Sequence, residues 1–86
     1  MIVHVGSVLH EYTSGRSRVE ARGGSVAAVL DDLERRYPGL RFRVIDEQGR
    51  VRAHMRLFVG NEPVADLGQR MGERDELHVL GALSGG

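Results

Sequence analysis

One stretch of this chain repeats its apolar residues at helical spacing over about three turns. The residues that recur three or four positions apart are Val26, Val29, Leu30, Leu33 and Tyr37. Ser25 stands where a helix N-cap is expected, and Pro38-Gly39 follows where a helix would end. The pattern predicts an amphipathic helix over residues 26–37, whose apolar face must be covered by the rest of the chain.

The opposite face of this predicted helix is charged, and its residues are Asp31, Asp32, Glu34, Arg35 and Arg36. A spacing of four lets Asp31 pair with Arg35, and Asp32 with Arg36, along the helix surface. We therefore predict a solvated, ion-paired face here, and not an acid–base pair in a cleft.

Most other apolar stretches alternate with polar residues, as β-strands do. They cover residues 1–9, 17–22, 55–59, 63–64 and 76–83. Residues 40–54 fit either a strand or one apolar helical turn, with a turn at 46–49. Residues 65–74 are predicted to be a loop anchored by Leu67 and Met71. This order predicts an α+β fold in which one mixed sheet carries the helix across one face.

The length of 86 residues fits one domain. We expect residues 1–83 to form it and residues 84–86 to be a flexible C-terminal tail.

Charge and composition exclude several classes of protein. The twelve basic residues are all Arg and balance twelve acidic residues, and no basic cluster suited to nucleic acid or an anionic membrane is present. The absence of Lys excludes Schiff-base chemistry and lysine-linked self-conjugation. The absence of Cys excludes a disulfide scaffold, a zinc-thiolate site and a thiol nucleophile. With no apolar run long enough to span a bilayer, we expect a cytoplasmic protein.

Four histidines are spread along the chain: His4, His10, His54 and His78. None has a second ligand at a spacing typical of metal sites, so we expect solvated histidines and no metal. Gly23-Gly24-Ser25 precedes the predicted helix, where backbone amides can bind an anion. Because no phosphate-binding glycine motif surrounds these residues, a strand-to-helix turn is the simpler interpretation.

The last strands predict an apolar patch on the open face of the sheet. If alternate residues of these strands pack under the helix, Phe58 and Leu80 lie on the opposite face, beside His78. An exposed aromatic residue next to a leucine is a candidate docking surface. Leu83, at the end of the last predicted strand, is a further docking candidate.

The chain ends in Ser84-Gly85-Gly86 directly after the last predicted strand. Glycines carry no side chain, so such a tail can enter a narrow channel and present its α-carboxylate to a partner. That carboxylate is ionised at neutral pH and is a poor electrophile. Chemistry at the tail would therefore need activation by another protein.

With these features the chain resembles the ubiquitin-like small sulfur carriers of the ThiS/MoaD family over nearly its whole length. The motifs that carry the resemblance are Gly24-Ser25 with Val29, Leu30 and Leu33, the helix end Arg36-Tyr37-Pro38-Gly39-Leu40, the strand Leu57-Phe58-Val59 with Asn61 and Glu62, the segment Glu73-Arg74-Asp75-Glu76-Leu77, and the tail from Leu80 to Gly86. The resemblance implies a β-grasp (ubiquitin-like) fold with a mixed sheet of four to five strands and one main helix. Gly60-Asn61 departs from the family's usual Asn-Gly turn, and Arg74-Asp75 from its usual Gly-Asp turn.

The resemblance also implies a function. Gly86 would be adenylylated by an ATP-dependent adenylyltransferase/sulfurtransferase that resembles ubiquitin-activating enzymes, and then converted to a thiocarboxylate. Gly85 and Ser84 would thread the tail into the partner, while Phe58, Leu80 and the neighbouring face would dock. The chain would be a protein-bound sulfur donor and not an enzyme, with no bound cofactor, and a biosynthetic enzyme would accept the sulfur.

Several alternatives stay open at this point. The length of residues 46–54 favours carriers for cysteine or thiolated metabolites, with molybdopterin synthesis as the other pathway. A ubiquitin-like modifier would use the same Gly86 but end in an isopeptide bond to another protein. A β-grasp interaction module would bind a partner without covalent chemistry, and its diglycine would be incidental.

Overall fold

A computed structural model describes residues 1–81, which form a five-stranded sheet packed against one main helix. The strands are β1 (Ile2–Val5), β2 (Arg18–Glu20), β3 (Met55–Val59), β4 (Glu62–Pro63) and β5 (Leu77–Gly81). The helices are α1 (Val26–Arg36) and the shorter α2 (Leu40–Val44), and a 3₁₀ turn covers Ser7–Leu9. The predicted mixed sheet with one helix on one face is confirmed.

The sheet has the order β2-β1-β5-β3-β4. β1 pairs with β2 antiparallel and with β5 parallel, while β3 pairs antiparallel with both β5 and β4. The last strand therefore lies in the centre of the sheet. Because parallel neighbours cannot be joined by a tight hairpin, α1 and the segments around it serve as the connection across the sheet.

One core fills the space between α1 and the sheet. The strand residues that contribute to it are Val3, Val5, Val19, Met55, Leu57, Leu77 and Val79. The helix contributes the predicted stripe of Val26, Val29, Leu30 and Leu33. Burying one such side chain stabilises the fold by about 1.5–3 kcal/mol. The apolar stripe of α1 and the apolar alternate residues of the strands therefore decide which faces of the helix and the sheet pack together.

The ends of α1 follow their capping residues. The Ser25 hydroxyl accepts a hydrogen bond from the Ala28 amide at 3.1 Å, which satisfies one free N–H of the first turn. The helix ends at Arg36, and Gly39 takes φ +95°. A left-handed residue of this kind reverses the chain after a helix at little cost only when it is glycine.

The ambiguous segment 40–54 begins as a helix and not as a strand. Leu40 and Val44 are buried on one side of α2. The Glu34 carboxylate of α1 accepts hydrogen bonds from the Gly39 amide at 2.8 Å and the Arg41 amide at 3.0 Å. This long-range cap for the start of α2 is not visible in the local sequence of residues 40–44.

The prediction of a fully solvated charged face on α1 is wrong at Asp32, which is only 4% exposed. Its carboxylate accepts hydrogen bonds from the Arg22 amide at 2.8 Å, from Arg36 Nε at 2.8 Å, and from the Arg35 guanidinium. The predicted Asp32–Arg36 pair is thus confirmed, whereas Arg35 pairs with Asp32 and not with Asp31. Asp32 is buried because it satisfies a backbone amide at the edge of the sheet.

Asp31 pairs instead with Arg41, whose Nε lies 2.9 Å from the Asp31 carboxylate. These two atoms are close but are not aligned for a hydrogen bond. Since Arg41 lies in the first turn of the next helix, the pair could be found only once α2 was placed.

Strand ends differ from the predictions by a few residues. The first strand stops at Val5, because residues 7–9 form the 3₁₀ turn that buries Leu9. The short fourth strand covers Glu62–Pro63 instead of 63–64, and the last begins at Leu77. Leu67 packs against the core and Met71 is buried, as predicted for the anchors of the loop 65–74.

We expect Asp32→Ala to lower the free energy of unfolding by about 2–4 kcal/mol, because it leaves the Arg22 amide without its partner. Urea unfolding at neutral pH measures this. The matched control is Asp31→Ala, which removes an exposed carboxylate and should cost less than about 1 kcal/mol. Equal losses in the two variants would contradict the structural role of Asp32.

The same carboxylate should make stability depend on pH. The hydrogen bond from the Arg22 amide, helped by the bonds from Arg36 and Arg35, holds the pKa of Asp32 below its ordinary value, against the smaller opposing effect of burial. A lowered folded-state pKa stabilises the fold above the unfolded pKa, and this contribution is lost as the pH falls through the folded one. The stability gap between wild type and Asp32→Asn should therefore shrink below about pH 4. A gap that stays constant down to the acid transition would contradict this assignment.

Candidate functional site

The open face of the sheet, opposite α1, carries one row of side chains that crosses all five strands. Strand register sets the row as Arg18, His4, His78, Phe58 and Pro63, in the order of the strands. Cross-strand partners of this kind are close enough for their side chains to touch. The register therefore brings together residues that are distant in sequence.

The predicted docking residues Phe58, His78 and Leu80 lie on this open face. Phe58 is directly opposite His78, and Leu80 lies one step further along β5, opposite Arg56. Leu80 is 36% exposed, whereas Phe58 and His78 are half-buried. The placement agrees with the alternation of the sequence, and the docking role stays a prediction.

His4 and His78 stack on each other at the centre of this face. Their ring centroids are 4.3 Å apart and their planes differ by 8°. His4 Nε2 also makes a hydrogen bond with the Glu76 carboxylate, and this bond holds the pKa of Glu76 below its usual range. The sequence suggested separate, solvated histidines. Only the parallel register of β1 and β5 makes these two neighbours.

The other two histidines stay apart from this pair. His10 Nε2 donates to the Val5 carbonyl oxygen at 3.1 Å, and His54 is exposed. Among residues 1–81, no group of three His, Cys, Asp or Glu side chains is arranged to hold a metal ion.

The glycines before α1 serve packing. A Cβ atom on Gly23 would lie 2.6 Å from the Val29 amide nitrogen, so the chain can pass α1 closely only with glycine there. The first amides of the helix are already used: Val26 N–H donates to the Gln69 carbonyl at 3.0 Å and Ala27 N–H to the Leu67 carbonyl at 2.8 Å. This supports the strand-to-helix turn and leaves these amides unavailable to an anion.

The end of β5 is held firmly at the point from which the chain continues toward its tail. Gly81 pairs with Met55 of β3, and on the other side the Gly6 amide donates to the Val79 carbonyl at 2.8 Å. A Cβ atom on Gly81 would lie 2.9 Å from a methyl group of Val8, which is itself 45% exposed. The 3₁₀ turn thus packs against the root of the tail, a contact that sequence analysis missed because it treated residues 7–9 as strand.

The predicted tail residues Ser84, Gly85 and Gly86, and the docking candidate Leu83, lie outside the residues that the structure describes. Within residues 1–81, neither helix is of the length and apolar character needed to cross a bilayer.

Comparisons with known proteins find relatives that match along nearly the full chain, although no protein-family model matches it. The sulfur carrier protein CysO of Mycobacterium tuberculosis is 29% identical over 89 residues, which cover 98% of this chain and 96% of that protein. The crystal structure of M. tuberculosis CysO superposes with a TM-score of 0.90, over 95% of this chain and 98% of that one.

Two further solved structures extend the comparison. The structure of the Amycolatopsis orientalis BexX/CysO complex contains a chain that is 30% identical, with a TM-score of 0.90, and covers 99% of this chain and 98% of that one. SAMP1 from Haloferax volcanii is 31% identical with a TM-score of 0.78, over 100% of this chain and 98% of that one.

These matches confirm the β-grasp fold that the resemblance implied, because both the structure and the sequence are similar over nearly the full chain. The chain belongs to the ThiS/MoaD-type family of ubiquitin-like small sulfur carriers.

Proposed function

We propose that this protein carries sulfur as a thiocarboxylate on Gly86. The observation that carries the proposal is the position of β5, which pairs with β1 up to Val79 and with β3 up to Gly81. The sequence after this strand ends in Ser84-Gly85-Gly86. A strand with hydrogen-bonded neighbours on both sides fixes the position from which the terminal segment continues. The terminal glycines have no side chains and add no bulk beyond the backbone. Similarity to CysO proteins supports the sulfur cargo.

The proposed chemistry takes place in two steps on a partner enzyme. The Gly86 carboxylate attacks the α-phosphorus of ATP, which forms an acyl-adenylate and releases pyrophosphate. A hydrosulfide-equivalent nucleophile then attacks the acyl carbon and AMP leaves, so that sulfur replaces one carboxyl oxygen. An ionised carboxylate needs this activation because it is a poor electrophile.

The sequence also supports a role as substrate and not as catalyst. It has no Cys and no Lys, so it offers neither a thiol nor a side-chain amine as a nucleophile. We therefore assign ATP to an activating adenylyltransferase, and the sulfur to an accepting biosynthetic enzyme in the cytoplasm. Cysteine or a thiolated metabolite is the favoured product, because the CysO proteins are its relatives, and molybdopterin synthesis is the other pathway.

A second candidate function is attachment to other proteins through Gly86. It is favoured by the similarity to the small archaeal modifier protein SAMP1. The isopeptide bond would then form on a lysine of the target, and only single attachment would be possible because this chain has no Lys. The third hypothesis is a non-covalent interaction module, in which the diglycine has no role.

We expect deletion of Gly86 to reduce sulfur transfer at least about a hundredfold, because the reacting carboxylate would be displaced by one residue, about 3.5 Å. Mass spectrometry of the protein from cells should show the oxygen-to-sulfur mass change in wild type only. The thermal midpoint should not change, since the deletion lies beyond β5. Normal transfer by the deletion variant would contradict thiocarboxylate chemistry, and higher-mass conjugates on a blot would indicate the modifier function.

We expect Leu80→Asp to weaken docking to the activating enzyme about tenfold or more, because a charge would be placed in the apolar part of the open face. ATP–pyrophosphate exchange at varied carrier concentration measures this as a rise in KM. Phe42→Asp is the matched control: Phe42 is 57% exposed but lies on α2, away from the open face. Equal effects of the two changes, or unfolding of Leu80→Asp, would contradict the docking surface.

A further inference from the structure

The free edge of β2 has unused backbone hydrogen-bonding groups. The Ser17 carbonyl accepts from the Val5 amide at 2.8 Å, and the Ala21 amide donates to the Met1 carbonyl at 3.1 Å. Because the residues of an antiparallel strand alternate in the direction of their backbone groups, Val19 also faces β1. The amides and carbonyls of Arg18 and Glu20 then face outward, where no strand of residues 1–81 lies beside them.

This edge is closed at its C-terminal end. The next outward amide along the chain, that of Arg22, donates to the buried Asp32 carboxylate at 2.8 Å. The open part of the edge is therefore limited to β2 itself. Beside it is a cleft of about 350 Å³ between β2 and the end of α1, lined by both Arg18 and Tyr37.

The cleft and the edge carry more positive than negative charge. Arg16, Arg18 and Arg36 line the cleft, and Glu20 is the one acidic residue in its lining. Glu20 lies 3.5 Å from the N-terminal amine, and Arg36 is paired with Asp32, so the positive excess comes from Arg16 and Arg18. Arg16 and Arg18 are exposed, so they are free to meet negative charge on a partner. In a chain with a formal net charge of zero, this local excess selects an acidic ligand.

A second copy of the chain is a poor partner for the β2 edge. Two β2 strands that pair antiparallel about Val19 would place Arg18 opposite Glu20, which is favourable. The same register places Arg16 opposite Arg22, which sets like charges against each other at both ends. The Arg22 amide is also already occupied by Asp32.

We propose that the free edge of β2 binds an extended, acidic segment of a partner protein by strand addition. The amides of Arg18 and Glu20 donate to carbonyls of the segment, and their carbonyls accept from its amides. Acidic side chains on one face of the segment lie beside Arg16 and Arg18. Apolar side chains on its other face point toward Val19 and the Tyr37 side of the cleft.

This site is compatible with the proposed use of the tail. β2 is two strands away from β5 in the sheet, a distance of about 10 Å. A partner can thus hold the β2 edge while the root of the tail at Gly81 stays uncovered. The inference does not depend on thiocarboxylate chemistry, because it concerns only the folded body.

The test uses the full chain and a short fluorescein-labelled peptide in which Glu and Val alternate. We expect saturable binding by fluorescence anisotropy, and slower hydrogen exchange at the amides of Arg18 and Glu20 in the complex. Arg18→Glu should weaken binding at least about fivefold, because like charge then faces the peptide. Arg74→Glu makes the same charge change at an exposed residue near the opposite edge, and should change the affinity less than about twofold.

N-methylated peptides test the backbone contacts. Methyl groups on the Glu amides remove the hydrogen-bond donors of one peptide edge, and methyl groups on the Val amides remove those of the other. Strand addition predicts that one methylated peptide binds and the other does not. Binding by both or by neither would overturn it.

Three further outcomes would also overturn the proposal. One is an equal effect of Arg18→Glu and Arg74→Glu with both variants folded by circular dichroism. Another is complete displacement of the peptide by inorganic phosphate at constant ionic strength, which would indicate a site for a small anion. The third is a concentration-dependent dimer that protects the Arg18 and Glu20 amides without peptide, which would indicate a second copy of the chain.

Discussion

The parallel pairing of β1 with β5 is the contact on which the rest of this structure depends. It places the last strand in the middle of the sheet, with β3 on its other side, and fixes the register His4 with His78. Hydrogen bonds on both sides make a central strand more resistant to fraying than an edge strand. The last strand of the chain is therefore an interior strand with a neighbour on each side, and not an edge strand.

A second organising feature is a set of carboxylates that satisfy backbone amides far away in sequence. Asp32 accepts a hydrogen bond from the Arg22 amide at the sheet edge. Glu34 accepts hydrogen bonds from the amide of Gly39, just before α2, and from that of Arg41, in its first turn. Asp32 and Glu34 are both on α1. One face of α1 thus packs against the core. Its polar residues occupy the backbone amide that follows β2 and position the start of α2. Such contacts are strong because a buried amide without a partner costs free energy.

Residues 1–81 give this sulfur carrier a folded body whose buried polar residues serve the structure. Residues 1–81 hold no group of three His, Cys, Asp or Glu side chains that could bind a metal ion. The polar residues that they bury, Thr13 and Asp32, are used in structural hydrogen bonds. Two surfaces of these residues stand out: the part of the open face with Phe58, His78 and Leu80, and the basic edge at β2. The two surfaces lie on different parts of the sheet, so a partner of modest size can use either one and leave the other exposed.

The sequence by itself determined the apolar helix stripe, the Ser25 cap, the alternating strands, the face on which Phe58 and Leu80 lie, and the glycine-rich end. Each of these follows from local periodicity or from the stereochemistry of single residues. The tertiary structure alone decided that residues 40–44 are helical, that Asp32 is buried, that His4 stacks on His78, and that Arg18 and Glu20 leave an open edge. These features arise from contacts between segments far apart along the chain, and a local pattern does not specify which distant amide, ring or strand becomes the neighbour.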